Sequence, residues 1–173
     1  VGHSVLHGSP EYYVFQTPQA LVTFQERYQL GPEYTRTILY LIAIAVKDWE
    51  VTNFLYSHGY YDDQLAYVRT FLKPSSTDLI SWNLARAHTR AQVLCVSGRL
   101  KDLLCATPIL NHPMGGIKEE FEVGLSYFPE ELSKKILNVI FQLSKEMRGS
   151  THQKVGIATE ILLKELFDRI LSR

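Results

Sequence analysis

The chain has 173 residues, with 18 lysines and arginines against 18 aspartates and glutamates, and 46% of its residues are apolar. This length suits one domain, and the apolar content at zero net charge excludes a globally disordered chain. Two cysteines exclude a disulfide scaffold, and a pI near 7.2 argues against a strongly basic nucleic-acid-binding protein. Because the chain begins at Val1 rather than at a methionine, we expect it to be part of a larger chain or assembly.

Residues 1–16 contain two glycines and a proline and show no helical periodicity. We therefore predict an extended N-terminal arm. Its aromatic side chains, Tyr12, Tyr13 and Phe15, are unusual for a solvated tail, so we expect them to pack on the same chain or on a neighbouring copy. They are candidate partner-binding residues, and the chain itself is a candidate partner through this arm.

From residue 17 onward the apolar residues recur at helical spacing. The apolar run at residues 38–46 predicts a central helix that is buried on all sides. It is only nine residues long, whereas a membrane-spanning helix needs about 20, so we predict no membrane span. The polar residues 47–50 interrupt the run, and we predict that a separate short helix follows them and ends at Gly59.

The longest regular stretch covers residues 78–97. Within it Ile80, Leu84 and Leu94, with two alanines between the last two, recur at steps of three and four residues. This spacing predicts one helix with a narrow apolar seam that packs against a partner helix.

Two long helices are predicted at the C-terminal end. Proline and two glutamates at residues 129–131 begin the first, and a Ser-x-x-Gln capping box at residues 150–153 begins the second. Helices joined by such a short connection form an antiparallel αα-hairpin. The predicted fold class is therefore all-α, with one domain of about seven to nine helices at residues 17–173 after the arm at residues 1–16.

Charge is distributed in blocks. The bases Arg86, Arg90, Arg99 and Lys101 lie in residues 84–101, which contain no acid. The first two lie one turn apart, facing away from the seam, and are candidates for contacting a phosphate or an acidic partner. In the alternative, these bases pair with the acidic block at residues 116–133, or Glu130, Glu131 and the bases near the C-terminus only complement helix dipoles.

Tyr60 and Tyr61, followed by two aspartates, are candidates for binding a basic peptide or a divalent cation; the alternative is a turn in which an aspartate caps the next helix. The stretch FLYSHGYYD at residues 54–62 resembles one in phlebovirus-type nucleoproteins. That resemblance implies a helical RNA-binding protein with an exchanging N-terminal arm. It needs two spacing adjustments, and the helical rhythm is equally similar to clathrin-type repeats, so no family is assigned.

No motif for a metal, a cofactor or catalysis is present. His3 and His7 have the i, i+4 spacing of a metal pair on a helix, but no third ligand follows. The chain contains no Gly-x-Ser-x-Gly and no phosphate-binding loop. We expect no cofactor, no metal and no enzymatic activity.

These features predict a non-enzymatic helical interaction or scaffolding module whose partner is another protein. The alternative is an RNA-binding, nucleocapsid-like subunit that uses the four bases of residues 84–101 and exchanges its arm. No signal peptide and no Asn-x-Ser/Thr acceptor is visible, which favours an intracellular site, cytoplasmic or nuclear.

Overall fold

The computed structural model describes residues 2–110 and 117–172, and within these ranges it contains nine helices and no strand. The helices are α1 (Gly2–His7), α2 (Gln19–Arg27), α3 (Pro32–Ser57), α4 (Tyr61–Leu72), α5 (Ser76–Ala85), α6 (Thr89–Ala106), α7 (Lys118–Leu125), α8 (Glu130–Glu146) and α9, which begins as Thr151–Leu162. The last of these continues through a π-helical segment, Leu163–Phe167, into a final turn, Asp168–Leu171. The predicted all-α fold class is confirmed.

The central helix is α3, which packs most extensively against α6 and also contacts α9 and α1. It does not stop at the polar residues 47–50, because no glycine or proline lies between Pro32 and Gly59 to break it. The predicted separate helix after residue 50 is therefore wrong. The predicted end is confirmed, since Gly59 follows the helix with a left-handed φ of 88°.

The core lies between α3, α6 and the α8–α9 pair. Its largest fully buried side chains come from seven helices and the segments beside them: Leu21, Ile38, Leu72, Leu103, Ile109, Ile117, Phe121, Leu125, Ile136, Ile140, Leu143 and Phe167. Within α3, the predicted apolar run supplies much of this packing, although Tyr40 is 63% exposed, so the helix is not enclosed on every side. No helix in the described ranges is long and apolar enough to cross a membrane.

The predicted αα-hairpin is formed by α8 and α9. Lys135, near the start of α8, lies 3.5 Å from Glu165, near the end of α9, so the two helices run antiparallel. The predicted capping box is also present, because the Ser150 hydroxyl accepts the Gln153 backbone N–H and the Gln153 side chain accepts the Ser150 N–H.

The single helix predicted over residues 78–97 is in fact two helices. α5 ends at Ala85, and His88 takes extended backbone angles before α6 begins. In α5 the core side is formed by Trp82, which is 3% exposed and contacts the ring of Phe128 edge-on. Ile80 and Leu84 therefore face solvent, and the predicted buried seam is wrong for this half of the stretch.

The N-terminal arm is not extended throughout. Residues Gly2–His7 form α1, which packs against α3, and Pro10–Tyr13 form one 3-10 turn. His7 is 1% exposed and Phe15 packs against the core, so the arm packs on its own chain, one of the two alternatives that the sequence left open. The division into an arm and a separate domain stays a prediction.

Candidate functional site

The exposed leucine and isoleucine side chains of the described residues all lie on α5. Leu79 is 45% exposed, Ile80 60% and Leu84 73%, and every other described leucine or isoleucine is at least half-buried. We call these three residues the α5 face. Single exposed apolar residues are ordinary on protein surfaces, whereas a cluster on one short helix is typical of an interaction site.

The orientation of the α5 face follows from the residues that fix the helix. A capping box at Ser75 and Asp78 sets its start, with the Ser75 N–H 2.7 Å from the Asp78 carboxylate. Trp82 sets the inward direction, because a buried indole is the largest apolar contribution that α5 makes to the core. On a helix with about 3.6 residues per turn, Ile80 and Leu84 then project away from the core, one turn apart.

The α5 face ends in positive charge. Arg86 is the C-cap of α5 and keeps helical backbone angles, so Leu79, Asn83 and Arg86 follow one another along one flank of the helix at i, i+4 and i+7. The Arg86 side chain is exposed and makes no hydrogen bond or ion pair with any described residue. No acid occurs between Leu79 and Lys101, so this segment of the chain places no carboxylate beside Arg86.

The other three predicted cations are engaged within the chain. Arg90 is exposed, and its Nη2 donates to the backbone oxygen of Tyr28 at 3.3 Å, at the end of α2. Lys101 lies 3.0 Å from the carboxylate of Asp102. Burial alone would lower the pKa of Lys101, but Asp102, with further contributions from Asp48 and Tyr67, outweighs burial and the pKa is raised.

Arg99 is enclosed rather than displayed. It is 4% exposed, and its guanidinium donates to the backbone oxygens of Gly124 at 2.9 Å, of Phe71 at 3.1 Å and of Leu72. These carbonyls belong to α4 and α7, so Arg99 joins both helices to α6. The predicted basic surface of four residues is therefore not assembled, because its most central member binds backbone oxygens inside the protein.

The predicted aromatic residues remain partly exposed, and they lie in two segments, the turn between α3 and α4 and the N-terminal arm. Tyr60 and Tyr61, at the turn between α3 and α4, are 53% and 44% exposed. The aspartates that follow lie in the first turn of α4 and do not cap it, because Tyr60 is the N-cap and makes no side-chain capping bond. In the arm, Tyr12 packs edge-on against His7, and Tyr13 lies over the Lys47 ammonium at 4.6 Å.

Sequence reasoning missed a polar cluster around Glu50. Its carboxylate lies 2.7 Å from His7 Nε2, accepts the Thr151 hydroxyl at 2.9 Å and lies 2.5 Å from Lys154 Nζ. The cluster therefore joins α1, α3 and α9. It lines a cavity of about 440 Å³, which Trp49 and other residues also line. Glu50 is 43 positions from His7 and 104 positions from Lys154, and no short motif relates such residues in a sequence.

The chemistry of the Glu50 cluster is that of a satisfied carboxylate. Burial opposes ionisation of Glu50, but hydrogen bonds from Lys154, His7 and Thr151 outweigh it and hold the pKa below its usual value of 4.5. A carboxylate with a lowered pKa is a weak general base. The Thr151 proton points to Glu50, so the hydroxyl is not activated by the histidine as in a catalytic triad.

The cysteines and the described histidines do not form a reactive or metal-binding group. Burial raises the pKa of the Cys105 thiol to about 12 and also raises the pKa of Cys95, which disfavours the nucleophilic thiolate. His3 pairs with Asp48 at 3.0 Å. Within residues 2–110 and 117–172, no three histidine, cysteine or acidic side chains are arranged to hold a metal ion.

Comparison of the chain with protein-family models, with curated proteins and with solved structures finds no match. A function must therefore be inferred from the surface and the side chains themselves. Of the features described above, the α5 face is the one that places three exposed aliphatic side chains on a single helix.

Proposed function

We propose that this chain is a non-enzymatic helical interaction module that binds another protein through the α5 face. The observation that carries the proposal is the confinement of exposed leucine and isoleucine, among the described residues, to this one helix. Complete burial of a fully exposed leucine or isoleucine contributes about 1.5–3 kcal/mol, and each of these side chains, 45–73% exposed, can contribute a corresponding part of it. Three adjacent side chains therefore supply a useful part of the binding free energy.

The anchoring of α5 supports this role. Trp82 and the capping box hold the helix in a fixed orientation on α6, so binding does not require the surface to be ordered first. A helix fixed in this way presents its aliphatic side chains at constant spacing. Such a surface is suited to a partner with a regular secondary structure.

The RNA-binding alternative has less support. Phosphate recognition relies on several cations that act together, and of the four candidate bases Arg86 alone is exposed without a partner among the described residues. Arg99 is enclosed, and Lys101 is paired with Asp102. A protein partner packs its own apolar side chains against the aliphatic residues of the α5 face, whereas a phosphate backbone has none to offer.

The proposal is tested by selecting ligands from a displayed library of random helical peptides. The wild-type chain is compared with the double variant Ile80→Ser/Leu84→Ser, and Val123→Ser serves as the matched control, since Val123 is 52% exposed on α7. We expect the wild type and the control to enrich the same amphipathic peptides and the double variant to lose them. Equal enrichment by all three chains would contradict the proposal.

The same proteins distinguish the RNA alternative. Filter binding of random single-stranded RNA is measured at about 50 mM salt, where phosphate contacts are strong. We expect no binding that depends on Arg86. RNA binding that is lost in Arg86→Glu but kept in the Ile80→Ser/Leu84→Ser variant would instead support the RNA-binding subunit and overturn the protein-binding proposal.

A further inference from the structure

This inference rests on the proposed function and specifies the partner. We infer that the segment which binds the α5 face is an amphipathic helix that places an aspartate or glutamate opposite Arg86. The inference comes from two properties of the surface, its rows of side chains and its charge.

The rows of side chains favour a helical partner. Ile80 and Leu84 form one row along α5, and Leu79, Asn83 and Arg86 form the neighbouring row. Side chains one turn apart form ridges that fit between the ridges of another helix. A partner helix with aliphatic residues at i, i+3, i+4 and i+7 therefore buries the aliphatic members of both rows at once.

The charge favours an acidic residue at one end of that partner helix. Arg86 continues the row of Leu79, so a helix lying along the α5 face passes beside its guanidinium. Because no described residue pairs with Arg86 and no acid lies between Leu79 and Lys101, a partner carboxylate gains a charge-assisted hydrogen bond without displacing another. A lysine at the same place would be repelled.

The chain's own acidic helices are poorer occupants. In α7, Glu120 already accepts Arg69 Nε at 2.9 Å, and in α8, Glu130 lies 2.6 Å from Lys134 Nζ. Glu119, Glu122 and Glu131 of the same two helices are exposed, but among the described residues no helix other than α5 exposes leucine or isoleucine. Neither α7 nor α8 of a second copy therefore offers an aliphatic face of the required spacing. We therefore assign the α5 face to a segment of a different protein.

The test uses two synthetic peptides of about 15 residues, long enough to form helix when bound. Both carry leucine at i, i+3, i+4 and i+7, and they differ only in glutamate or lysine at the end predicted to meet Arg86. Binding to the wild-type chain is measured by fluorescence anisotropy. We expect the glutamate peptide to bind roughly two- to fivefold more tightly, as is typical of one exposed ion pair, with the difference shrinking as salt rises.

Two charge-reversal variants complete the test. Arg86→Glu should reverse the preference, whereas Arg148→Glu should leave it unchanged, because Arg148 is exposed and pairs with no described residue. Circular dichroism checks that each variant is folded. Equal binding of the two peptides to the wild-type chain would overturn this inference while leaving the proposed function intact.

Two further outcomes show whether the proposed function, or only the inferred partner, is wrong. Absence of binding by either peptide at up to about 1 mM, the limit of weak but specific association, would overturn the proposed function as well. Sedimentation of the chain alone identifies a second copy as the occupant: self-association that disappears in the Ile80→Ser/Leu84→Ser variant would overturn the inference of a different partner.

Discussion

Arg99 and the α5 face depart in opposite ways from the usual distribution of charged and apolar side chains. Arg99 is a charged side chain in the interior, and Leu84 is a large aliphatic side chain that is 73% exposed. The two lie on helices that pack directly together, α6 and α5. One region places charge where apolar residues are usual, and the other places apolar residues where charge is usual.

The difference between the two regions is the presence of partners. The Arg99 guanidinium is surrounded by backbone oxygens of α4 and α7 that would otherwise be unsatisfied at the ends of their helices. The α5 face is left 45–73% exposed by the described part of the chain. A buried charged residue whose hydrogen bonds are satisfied within the chain indicates a structural role. Exposed aliphatic residues that the chain leaves uncovered indicate a surface for another molecule.

The largest expected effect is at Arg99. Replacing it with methionine fills much of the space but leaves three backbone oxygens without donors, so we expect the free energy of unfolding to fall by about 3–5 kcal/mol. Urea denaturation followed by circular dichroism measures it. Arg148→Met, at an exposed position, should stay within about 0.5 kcal/mol of the wild type. Similar midpoints for the two variants would mean that Arg99 is not a structural centre.

Arg99→Lys sharpens the same comparison. Lysine keeps the charge but has no planar fork of donors with which to reach three oxygens at once. We expect most of the stability lost in the methionine variant to be lost here also. Full stability of the lysine variant would show that charge alone, and not the geometry of the guanidinium, is required.

Glu50 tests whether a second interior charged group, with its partners inside the chain, also stabilises the fold. Glu50→Gln removes the charge that pairs with Lys154 and His7, and we expect a loss of about 2 kcal/mol near pH 7. Because the folded pKa of Glu50 lies below its usual 4.5, its stabilising contribution is complete above that pH and is lost as the pH falls through the lowered value.

The stability of the wild type and of the Glu50→Gln variant should therefore converge as the pH falls below about 4.5. Denaturant titrations at a series of pH values from neutral to acidic measure the gap. A gap that stays constant down to the lowest pH would show that ionisation of Glu50 does not contribute to stability.

Gly124 offers a smaller and steric perturbation of the Arg99 site. A Cβ at this position would collide with the Arg99 guanidinium and approach the Leu72 oxygen to 3.0 Å, so Gly124→Ala should destabilise by about 1–2 kcal/mol. Gly156 is the matched control within α9, since a Cβ there meets nothing within 4 Å. Gly156→Ala should instead stabilise by up to about 1 kcal/mol. Thermal or urea unfolding compares them, and a stabilising Gly124→Ala would contradict the tight packing.

The smallest expected effect on stability is at the α5 face. Ile80→Ser and Leu84→Ser remove exposed apolar surface, so each should change the free energy of unfolding by no more than about 0.5 kcal/mol. A loss of 2 kcal/mol or more, which is roughly the cost of emptying a core position, would show that the face packs within the chain. That result would remove the contrast with Arg99.

Local patterns predicted much of the fold and little of the surface. The stop at Gly59, the cap at Ser150 and the hairpin of α8 and α9 depend on neighbouring residues, which the sequence displays directly. The spacing of Ile80, Leu84 and Leu94 indicates a helix correctly but not which side is buried. Trp82 decides the buried side of α5, since burying the indole next to Phe128 turns Ile80 outward.

Long-range polar contacts could not be predicted in the same way. Arg99 reaches oxygens of residues 25 to 28 positions away, and a backbone oxygen has no signature in a sequence. A cluster of bases with no acids among them predicts a surface for anions, yet Arg99 binds backbone oxygens in the interior and the Asp102 carboxylate at 3.4 Å. The exposure of Arg86 and the burial of Arg99 therefore had to come from the structure.

The attachment of Arg99 to two other helices also has a consequence for how the molecule opens. α4 and α7 are far apart in sequence, but the Arg99 guanidinium on α6 donates hydrogen bonds to backbone oxygens at the ends of both helices. Releasing either helix therefore disturbs the guanidinium that also holds the other. We expect the amide protons of α4 and α7 to exchange with solvent as one cooperative unit. α5 lies between α4 and α6 in the sequence, but none of its residues accepts a hydrogen bond from Arg99. The helix that carries the α5 face is therefore not part of this shared attachment.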